Sequence, residues 1–172
     1  MPDEIQILLS NCDGLLRGLL KPLVTVALHT GARKGELRGL KRWDIQMNET
    51  AKATLQGLER KAEFVFPSPN GKSIDTSQIQ IASREAIRRS GVEGFHFHDL
   101  RHTFASNLVM EGAELNDVRE LLGHKNMAMI LRYAHRSPKH KTKVVHVLNR
   151  VMAEKPMSQN PPQGPKVVNL EP

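Results

Sequence analysis

Apolar residues recur every three or four positions along most of the chain, which is the spacing of amphipathic helices. Residues 3–29 carry two such stripes, and Thr30-Gly31 directly after them is a usual helix stop. The pattern therefore predicts a mainly helical protein. The further segments with this spacing are residues 33–41, 50–62, 75–90, 98–111, 115–122, 127–134 and 138–153.

Two short segments indicate extended chain instead. Trp43-Asp44-Ile45 has the composition of a strand start. Residues 64–67 form a short apolar run, and residues 68–72 after it, with the sequence SPNGK, are typical of a turn. We therefore expect a mainly α domain with a small residual β element over residues 1–153. Residues 154–172 are rich in proline and polar side chains and are predicted to form a disordered tail.

Composition adds a marked positive charge to this picture. The 172 residues carry a formal net charge of +7, and the sequence pI is about 9.8. A small basic domain is a candidate partner of nucleic acid, of an anionic membrane or of an acidic protein, although excess charge also serves plain solubility. Aromatic residues make up 4% of the chain, so aliphatic side chains and methionine must supply most of the core.

The single cysteine, Cys12, excludes a disulfide within the chain and fits a reducing cytosol. A lone cysteine in a helical context is most often a small core hydrophobe, and the alternative of a nucleophile lacks an activating neighbour in the sequence. The N-terminal residues MPDEIQ do not resemble a signal peptide, and no apolar stretch is long enough to cross a membrane. We expect a cytoplasmic protein with no membrane partner.

Four stretches carry the residues that point to chemistry. They are TGARKGEL at residues 30–37, HDLRHTFAS at 98–106, LLGH at 121–124 and LRYAH at 131–135. In this order, and with His124 and Tyr133 nine positions apart, they resemble the active-site boxes of the tyrosine recombinases of the phage-integrase type. The resemblance runs from about residue 3 to residue 150 and so covers nearly the whole predicted domain.

The resemblance implies the tyrosine-recombinase catalytic fold and site-specific DNA recombination. In this family a tyrosine attacks the scissile phosphate, a covalent 3′-phosphotyrosine link forms, and the strand is later rejoined, without a metal or nucleotide cofactor. The implied partner is double-stranded DNA, with a homo-oligomer or an intact recombinase assembled on it. The implied location is the nucleoid in the cytoplasm, and the implied source is a mobile element.

The chemistry explains why the resemblance assigns roles to these residue types. A crowded, negatively charged transition state needs planar cations that reach several oxygens, together with a proton donor and a proton acceptor. Arg33 and Arg101 match the two phosphate-clamping arginines of the family. His98 matches the general acid/base, and Tyr133 matches the nucleophile.

Two further positions match family residues with supporting roles. Glu36 matches an acidic position that braces the site through hydrogen bonds, and the alternative is an ordinary i, i+3 or i, i+4 partner of a nearby basic residue. His124 matches a histidine that contacts the phosphate, and the alternative is a loop histidine. His102 is given no role in the chemistry, and we interpret it as a helix cap or a core hydrogen-bonding group.

Helical geometry predicts where the polar side chains of residues 98–111 point. His98 and Arg101 are three positions apart and share one side of the helix with His102. Because the apolar stripe occupies another side, we expect these polar side chains to point away from the core. That stripe consists of Leu100, Phe104 and Leu108.

The same geometry makes a prediction for Tyr133, the only tyrosine in the chain. It lies about 100° or more from the centre of the apolar stripe of residues 127–134. We therefore expect Tyr133 to project from the edge of the stripe, where it can reach a bound strand. The stripe consists of Met127, Ile130, Leu131 and Ala134.

The sequence departs from the family pattern in two places. The family carries a catalytic lysine on a β-hairpin after the first arginine, and the residues between Ile45 and the helix predicted near Thr50 leave no room for that hairpin. Lys52 and Lys61 fall in the helix and Lys72 in a later turn, so no lysine is assigned. No core-binding domain precedes the predicted catalytic domain, so we expect weaker and strongly salt-dependent DNA binding.

These departures leave enzymatic activity open and three interpretations in place. The first is a recombinase catalytic domain. A variant of this interpretation is an enzyme that nicks and closes DNA without strand exchange, as type IB topoisomerases do. The second is a DNA-binding integrase remnant without recombination activity, which binds DNA or pairs with an intact relative. The third is a generic helical DNA-binding module, which gives no reason for the four boxes to occur together. Residues 138–153 either complete the core or dock on a neighbouring protomer.

Overall fold

The computed structural model describes residues 2–41, 48–59 and 62–133, and within these ranges the regular structure is helical. No strand occurs in them; a 3-10 helix spans Leu15–Gly18. The α-helices are α1 (Pro2–Ser10), α2 (Leu20–Thr30), α3 (Lys34–Gly39), α4 (Glu49–Gln56), α5 (Thr76–Ser90), α6 (Asp99–Met110), α7 (Leu115–Leu121) and α8 (Ala128–Leu131).

Helix α2 lies at the centre of the packing, in contact with α1, α3, α4, α5 and α6. Neighbours on several sides bury most of its apolar side chains. Pro22 falls in the first turn of α2, where its missing N–H costs no helical hydrogen bond. The buried residues of this helix are Leu20, Leu23, Val24, Val26 and Ala27.

The buried apolar side chains form two clusters. The larger cluster surrounds α2 and includes Leu8 of α1, Ile79 of α5 and Leu100 of α6. The smaller cluster joins α6, α7 and the segment around α8, so that α6 contributes to both. Its buried members are Ala105, Val109, Val118, Leu122, Ile130 and Tyr133.

Cys12 belongs to the larger cluster and is fully buried. Its Sγ donates a hydrogen bond to the Leu8 carbonyl oxygen at 3.2 Å. Burial raises the pKa of the thiol to about 11, which keeps it in the unreactive protonated form. Cys12 therefore packs as a small core residue.

The end of α2 requires a glycine. Gly31 has a φ of 67°, and its N–H donates to the Ala27 carbonyl oxygen at 2.9 Å. A Cβ at this position would lie 2.6 Å from Leu122 Cδ2 and 2.6 Å from Phe104 Cδ1. Both the left-handed backbone and the close approach of α6 and the chain after α7 therefore depend on the absence of a side chain.

The predicted β element is small, as expected. Within the described ranges it consists of two isolated antiparallel bridges, between Lys41 and Phe64 and between Pro67 and Ser73. The Val65 N–H donates to the Leu40 carbonyl oxygen at 2.9 Å beside the first bridge. The predicted strand start at residues 43–45 lies outside the described residues, so the predicted absence of the lysine hairpin stays a prediction.

Helix positions agree with the sequence pattern, and helix lengths differ. Helix α4 begins after Asn48, whose Oδ1 accepts from the Ala51 N–H at 3.0 Å, and ends at Gln56 rather than near residue 62. Helix α8 is shorter than the predicted segment 127–134. The predicted helix at residues 138–153 and the predicted tail at 154–172 lie outside the described residues. No described helix is long and apolar enough to cross a membrane.

The geometry at Gly31 predicts a position-specific loss of stability. We expect Gly31→Ala to lower the free energy of unfolding by about 1 kcal/mol for the left-handed backbone and by about 1–3 kcal/mol more for overpacking against Leu122 and Phe104. Urea unfolding followed by circular dichroism measures the loss.

Gly91→Ala is the matched control, because Gly91 also has a φ of 67° but a Cβ there would meet no neighbouring atom within 4 Å. It should lose only the backbone contribution. Equal losses in the two variants would contradict the close approach at Gly31.

Candidate functional site

Arg101 of α6 joins two loops that carry other predicted site residues. Its Nη1 donates to the Gly31 carbonyl oxygen at 2.5 Å, and its Nη2 donates to the Leu122 carbonyl oxygen. The loop at Gly31 leads to Arg33, and the chain at Leu122 leads to His124. One guanidinium thus fixes the relative position of both.

The burial of Arg101 corrects the prediction that it points away from the core. The residue is 4% exposed. A buried guanidinium is stable here because two backbone carbonyls accept from it. Burial lowers the pKa of Arg101, and so does the charge of Arg33, while Glu36 and Tyr133 raise it. A guanidinium has five N–H donors, so Arg101 keeps donors that the two carbonyls do not use.

Glu36 fixes Arg33 at the start of α3. Glu36 Oε2 accepts from the backbone N–H of Arg33 at 2.7 Å, and Oε1 accepts from Arg33 Nη1 at 2.9 Å. Both side chains are about half exposed. Glu36 was predicted either to brace the site through hydrogen bonds or to form an ordinary i, i+3 ion pair. The structure does not separate these alternatives, because the ion pair with Arg33 is also the contact that holds its guanidinium.

A cleft of about 440 Å³ lies beside these residues. Its walls come from the end of α2, from α3 and from the chain around the end of α7. Because Arg33 and Arg101 both line it, the cleft has guanidinium donors for an anion, although Glu36 and Glu120 in the same lining offset their charge. Its polar and loop residues include Thr30, Arg33, Glu36, Arg101, Glu120 and Gly123.

His124 follows Gly123 and is held through its backbone. Its N–H donates to the Arg119 carbonyl oxygen at 3.0 Å, and its carbonyl oxygen accepts from Arg119 Nη1 at 3.2 Å. The residue is 8% exposed, and its Nδ1 is buried with no hydrogen-bond partner among the described residues.

The electrostatic surroundings keep His124 neutral. Its pKa is lowered by burial first, and then by the charges of Arg101, Arg33 and Arg132. A neutral imidazole still has one N–H donor, which a phosphate oxygen could accept. Two of these charges, those of Arg101 and Arg33, belong to residues that line the cleft of about 440 Å³.

Tyr133 lies inside the smaller core cluster, which corrects the prediction that it projects from its helix. It is 4% exposed and packs with Ile130 against the apolar residues of α6 and α7. Met127 and Leu131, predicted to be inward, are 41% and 50% exposed. The apolar residues of this segment surround the helix, so the pattern did not define which face would be buried. Ala134, the last residue of the predicted stripe, lies outside the described residues.

His102 contacts the hydroxyl of Tyr133. The His102 Nδ1 and the Tyr133 Oη form a hydrogen bond. The ring of His98 lies edge-on to that of His102, with centroids 4.9 Å apart, and His98 itself is exposed at the start of α6. The sequence interpretation gave the proton-transfer role to His98 and none to His102. The available signal was its position, one turn after His98 and next to Arg101 on the same helix.

His102 is also kept neutral by its surroundings. Burial lowers its pKa most, followed by the charges of His98 and Arg132, while Asp99 raises it. A second cleft, of about 580 Å³, borders the pair. His102, Tyr133 and Arg132 line this cleft, whereas Arg33, Glu36 and Arg101 line the first one.

The two clefts are nevertheless electrostatically connected. The pKa of Arg101 responds to Tyr133, and the pKa of His124 responds to both Arg33 and His102. Hydrogen bonds join the two sides as well, because neighbouring residues of α6 contact the chain at Gly31 and Leu122 through Arg101 and the Tyr133 hydroxyl through His102. Within the described residues, no group of three or more His, Cys, Asp or Glu side chains is placed to hold a metal ion.

The fold and these residues define a known class of protein: the chain belongs to the phage integrase family, whose model matches residues 46–140. It is 31% identical over 175 aligned positions to the integrase of Salmonella phage P22, covering 82% of this chain and 44% of that protein. It is 31% identical over 147 positions to the integrase of Escherichia phage 186, covering 80% of this chain and 44% of that protein. The chain thus spans about half the length of the curated relatives it matches.

Solved structures agree with this assignment. The catalytic domain of bacteriophage HP1 integrase superposes with a TM-score of 0.65 and 25% identity, covering 92% of this chain and 95% of that one. XerA recombinase shares the fold with a TM-score of 0.66 and 23% identity, covering 91% of this chain and 65% of that one. The expected tyrosine-recombinase catalytic fold is confirmed, and the roles of the individual site residues stay predictions.

The lowered histidine pKa values predict acid-sensitive stability. A histidine whose pKa is lower in the folded than in the unfolded chain binds fewer protons when folded. Its contribution to the free energy of unfolding is therefore fully present above pH 6.5 and is lost as the pH falls below that value. We expect the urea midpoint to fall as the pH is lowered through this region. In His124→Asn the midpoint should depend less steeply on pH.

His96→Asn is the matched control, because the His96 side chain is 77% exposed. It should retain the full pH dependence. An unchanged slope in His124→Asn would show that His124 is protonated as easily in the folded as in the unfolded chain.

Proposed function

We propose that this chain is the catalytic domain of a site-specific DNA recombinase that cuts and rejoins double-stranded DNA through a 3′-phosphotyrosine at Tyr133. One observation carries the proposal: a single helix, α6, holds the loops of Arg33 and His124 through Arg101 and contacts the Tyr133 hydroxyl through His102. One helix thus contacts each of the segments that carry the residue types that phosphoryl transfer requires.

The proposed phosphate site is the cleft at Arg33 and Arg101. Two guanidinium groups there can donate to several phosphate oxygens at once and stabilise the charge that develops in the transition state. His124, neutral and close to both charges, supplies a further N–H donor. Glu36 supports the site by holding Arg33, and His98 is the proposed general acid/base at the exposed start of α6.

Tyr133 is proposed to attack the phosphorus. Because the residue is 4% exposed, a scissile phosphate reaches its hydroxyl only after the apolar packing of the smaller core cluster around it opens. DNA binding and exposure of the nucleophile are therefore coupled in this proposal. The net charge of +7 supports binding to the DNA backbone.

The proposed biological setting follows from the relatives. The chain would act on DNA at the nucleoid, as an oligomer or beside an intact recombinase, and one solved relative is described as a lambda integrase tetramer bound to a Holliday junction. Residues 1–153 would form the catalytic domain and residues 154–172 a tail.

A second candidate function is DNA binding without recombination. It is favoured by the positions of the two described lysines considered as replacements for the family lysine: Lys52 pairs with Glu49 at 2.8 Å, and Lys72 is exposed in the turn closed by the Pro67–Ser73 bridge. Neither lines the two clefts next to the proposed site residues. Without a general acid, departure of the 5′ oxygen would be slowed by about 10²- to 10⁴-fold.

Covalent trapping on nicked suicide DNA tests the nucleophile. We expect the wild-type chain to form a protein–DNA adduct, and Tyr133→Phe to form none, because the adduct is a phosphotyrosine bond. Denaturing gels of a mixed-sequence substrate pool provide the measurement. An adduct that persists in Tyr133→Phe would overturn the assignment of the nucleophile.

A second set of substrates separates the two candidate functions. With sulfur at the bridging 5′ position, the leaving group is a thiolate that needs little protonation, so a chain lacking its general acid should cleave this DNA about 10²- to 10⁴-fold faster than ordinary DNA. Equal rates would show that another residue supplies the proton. Binding of DNA in a gel-shift assay with no adduct on either substrate would favour the DNA-binding function.

A further inference from the structure

The Tyr133 hydroxyl is hydrogen-bonded to His102 within a mostly buried residue, although Tyr133 also borders the cleft of about 580 Å³. The residue is 4% exposed, and the residues around its ring belong to the smaller core cluster. A phenol becomes a good nucleophile as it loses its proton, so a buried phenol needs a nearby acceptor. His102 Nδ1 is already hydrogen-bonded to it.

The protonation state of His102 suits an acceptor. Its lowered pKa means that the imidazole is neutral near neutral pH, and a neutral imidazole has one ring nitrogen with an open lone pair. When Nε2 carries the proton, Nδ1 can accept the hydrogen bond from Tyr133 Oη. The ring of His98, edge-on to that of His102, lies on the exposed side of the pair.

The surroundings of His102 also provide a way out for the proton. His102 lines the cleft of about 580 Å³, which opens to solvent. Acidic residues line the same cleft and can attract a proton that leaves the imidazole. The titratable and charged groups around His102 are His98, Asp99 and Arg101 of α6, Arg132 and Tyr133 after α8, and Glu4 and Glu93 across the cleft.

We propose that His102 is the direct acceptor of the phenolic proton of Tyr133, and that the general acid/base proposed at His98 lies beyond it on the exposed side of the pair; the inference rests on the proposed function. As a lone pair of Oη forms the bond to phosphorus, the Oη–H bond breaks and its proton passes to Nδ1. The electron pair of the bond between phosphorus and the 5′ oxygen leaves with that oxygen, which takes a proton from water. On rejoining, the 5′ hydroxyl gives its proton back to water as its oxygen forms the bond to phosphorus. The electron pair of the bond between phosphorus and Oη leaves with Oη, to which His102 returns the proton.

Two substitutions separate proton acceptance from positioning. His102→Asn places an amide near the former Nδ1, so it can keep the hydrogen bond to Tyr133, but an amide does not take a proton at neutral pH. His102→Phe keeps a ring beside His98 and removes the bond as well. His96→Gln is the matched control, a change of an exposed histidine outside both clefts.

The first readout is ultraviolet resonance Raman spectroscopy of the tyrosine Fermi doublet, which reports on hydrogen bonding of the phenol. Because Tyr133 is the only tyrosine, the signal belongs to this residue alone. We expect a hydroxyl that donates to a base in the wild-type chain and in His96→Gln, a hydrogen-bonded hydroxyl in His102→Asn, and loss of the bond in His102→Phe. A wild-type spectrum without this bond overturns the inference, whatever the chain does to DNA.

The second readout is the rate of adduct formation on DNA with sulfur at the bridging 5′ position. Because the thiolate leaving group needs little protonation, this rate reports on removal of the proton from Tyr133. We expect both His102 variants to be slower than wild type by about 10²- to 10⁴-fold, the usual contribution of a general base. His96→Gln should match wild type. A His102→Asn chain that cleaves at the wild-type rate reduces His102 to a positioning residue and overturns the inference.

The pH profile gives an independent check. The wild-type rate should fall as pH is lowered through the His102 pKa, which lies below 6.5, because the protonated ring cannot accept a proton. This fall in rate at low pH should be absent in both His102 variants. If the variants still show it, the fall belongs to another titrating group and the inference is overturned. A wild-type chain with no adduct on any DNA overturns the proposed function and the proton transfer together, and the Raman result then still decides whether the pair forms.

Discussion

The two hydrogen bonds from the Arg101 guanidinium to backbone carbonyls hold the candidate site together. A buried cation that loses its acceptors costs about 3–5 kcal/mol, so the loop at Gly31, the chain at Leu122 and helix α6 are stable in this arrangement only as a set. Arg33 and His124 project from the two segments that Arg101 joins. The residue thus contributes to folding and to the site through the same atoms.

The positive charges of the site act on the histidines, and under the proposed function they would also act on a bound phosphate. Arg33, Arg101 and Arg132 each lower the pKa of His124, and two of them also lower that of His102. A phosphate in the cleft would offset part of this field and make the imidazoles easier to protonate. Under the proposed function, binding of DNA would therefore raise the pKa values of these histidines before any bond is broken.

The sequence predicted the helical fold and the family from patterns that act locally. Helix α5 follows its apolar stripe, and the four boxes depend on residue type and spacing alone. The errors concern tertiary contacts. Ile130 was predicted to face inward and is buried, but Met127 and Leu131 were wrongly placed beside it because apolar residues surround that helix. The burial of Arg101 was not predicted because its acceptors are carbonyls distant in sequence. His102 was interpreted as a helix cap or a core hydrogen-bonding group, and its partner Tyr133 was not predicted because it lies 31 positions away.

The burial of Tyr133 has a consequence for a cell that carries this protein. Under the proposed function, a nucleophile at the surface beside two arginines would attack any phosphodiester that diffused into the cleft. Packing it against Val109 and Val118 withholds it until the chain has engaged DNA closely enough to disturb that packing. The contacts that stabilise the domain thus also protect the genome from accidental strand breaks.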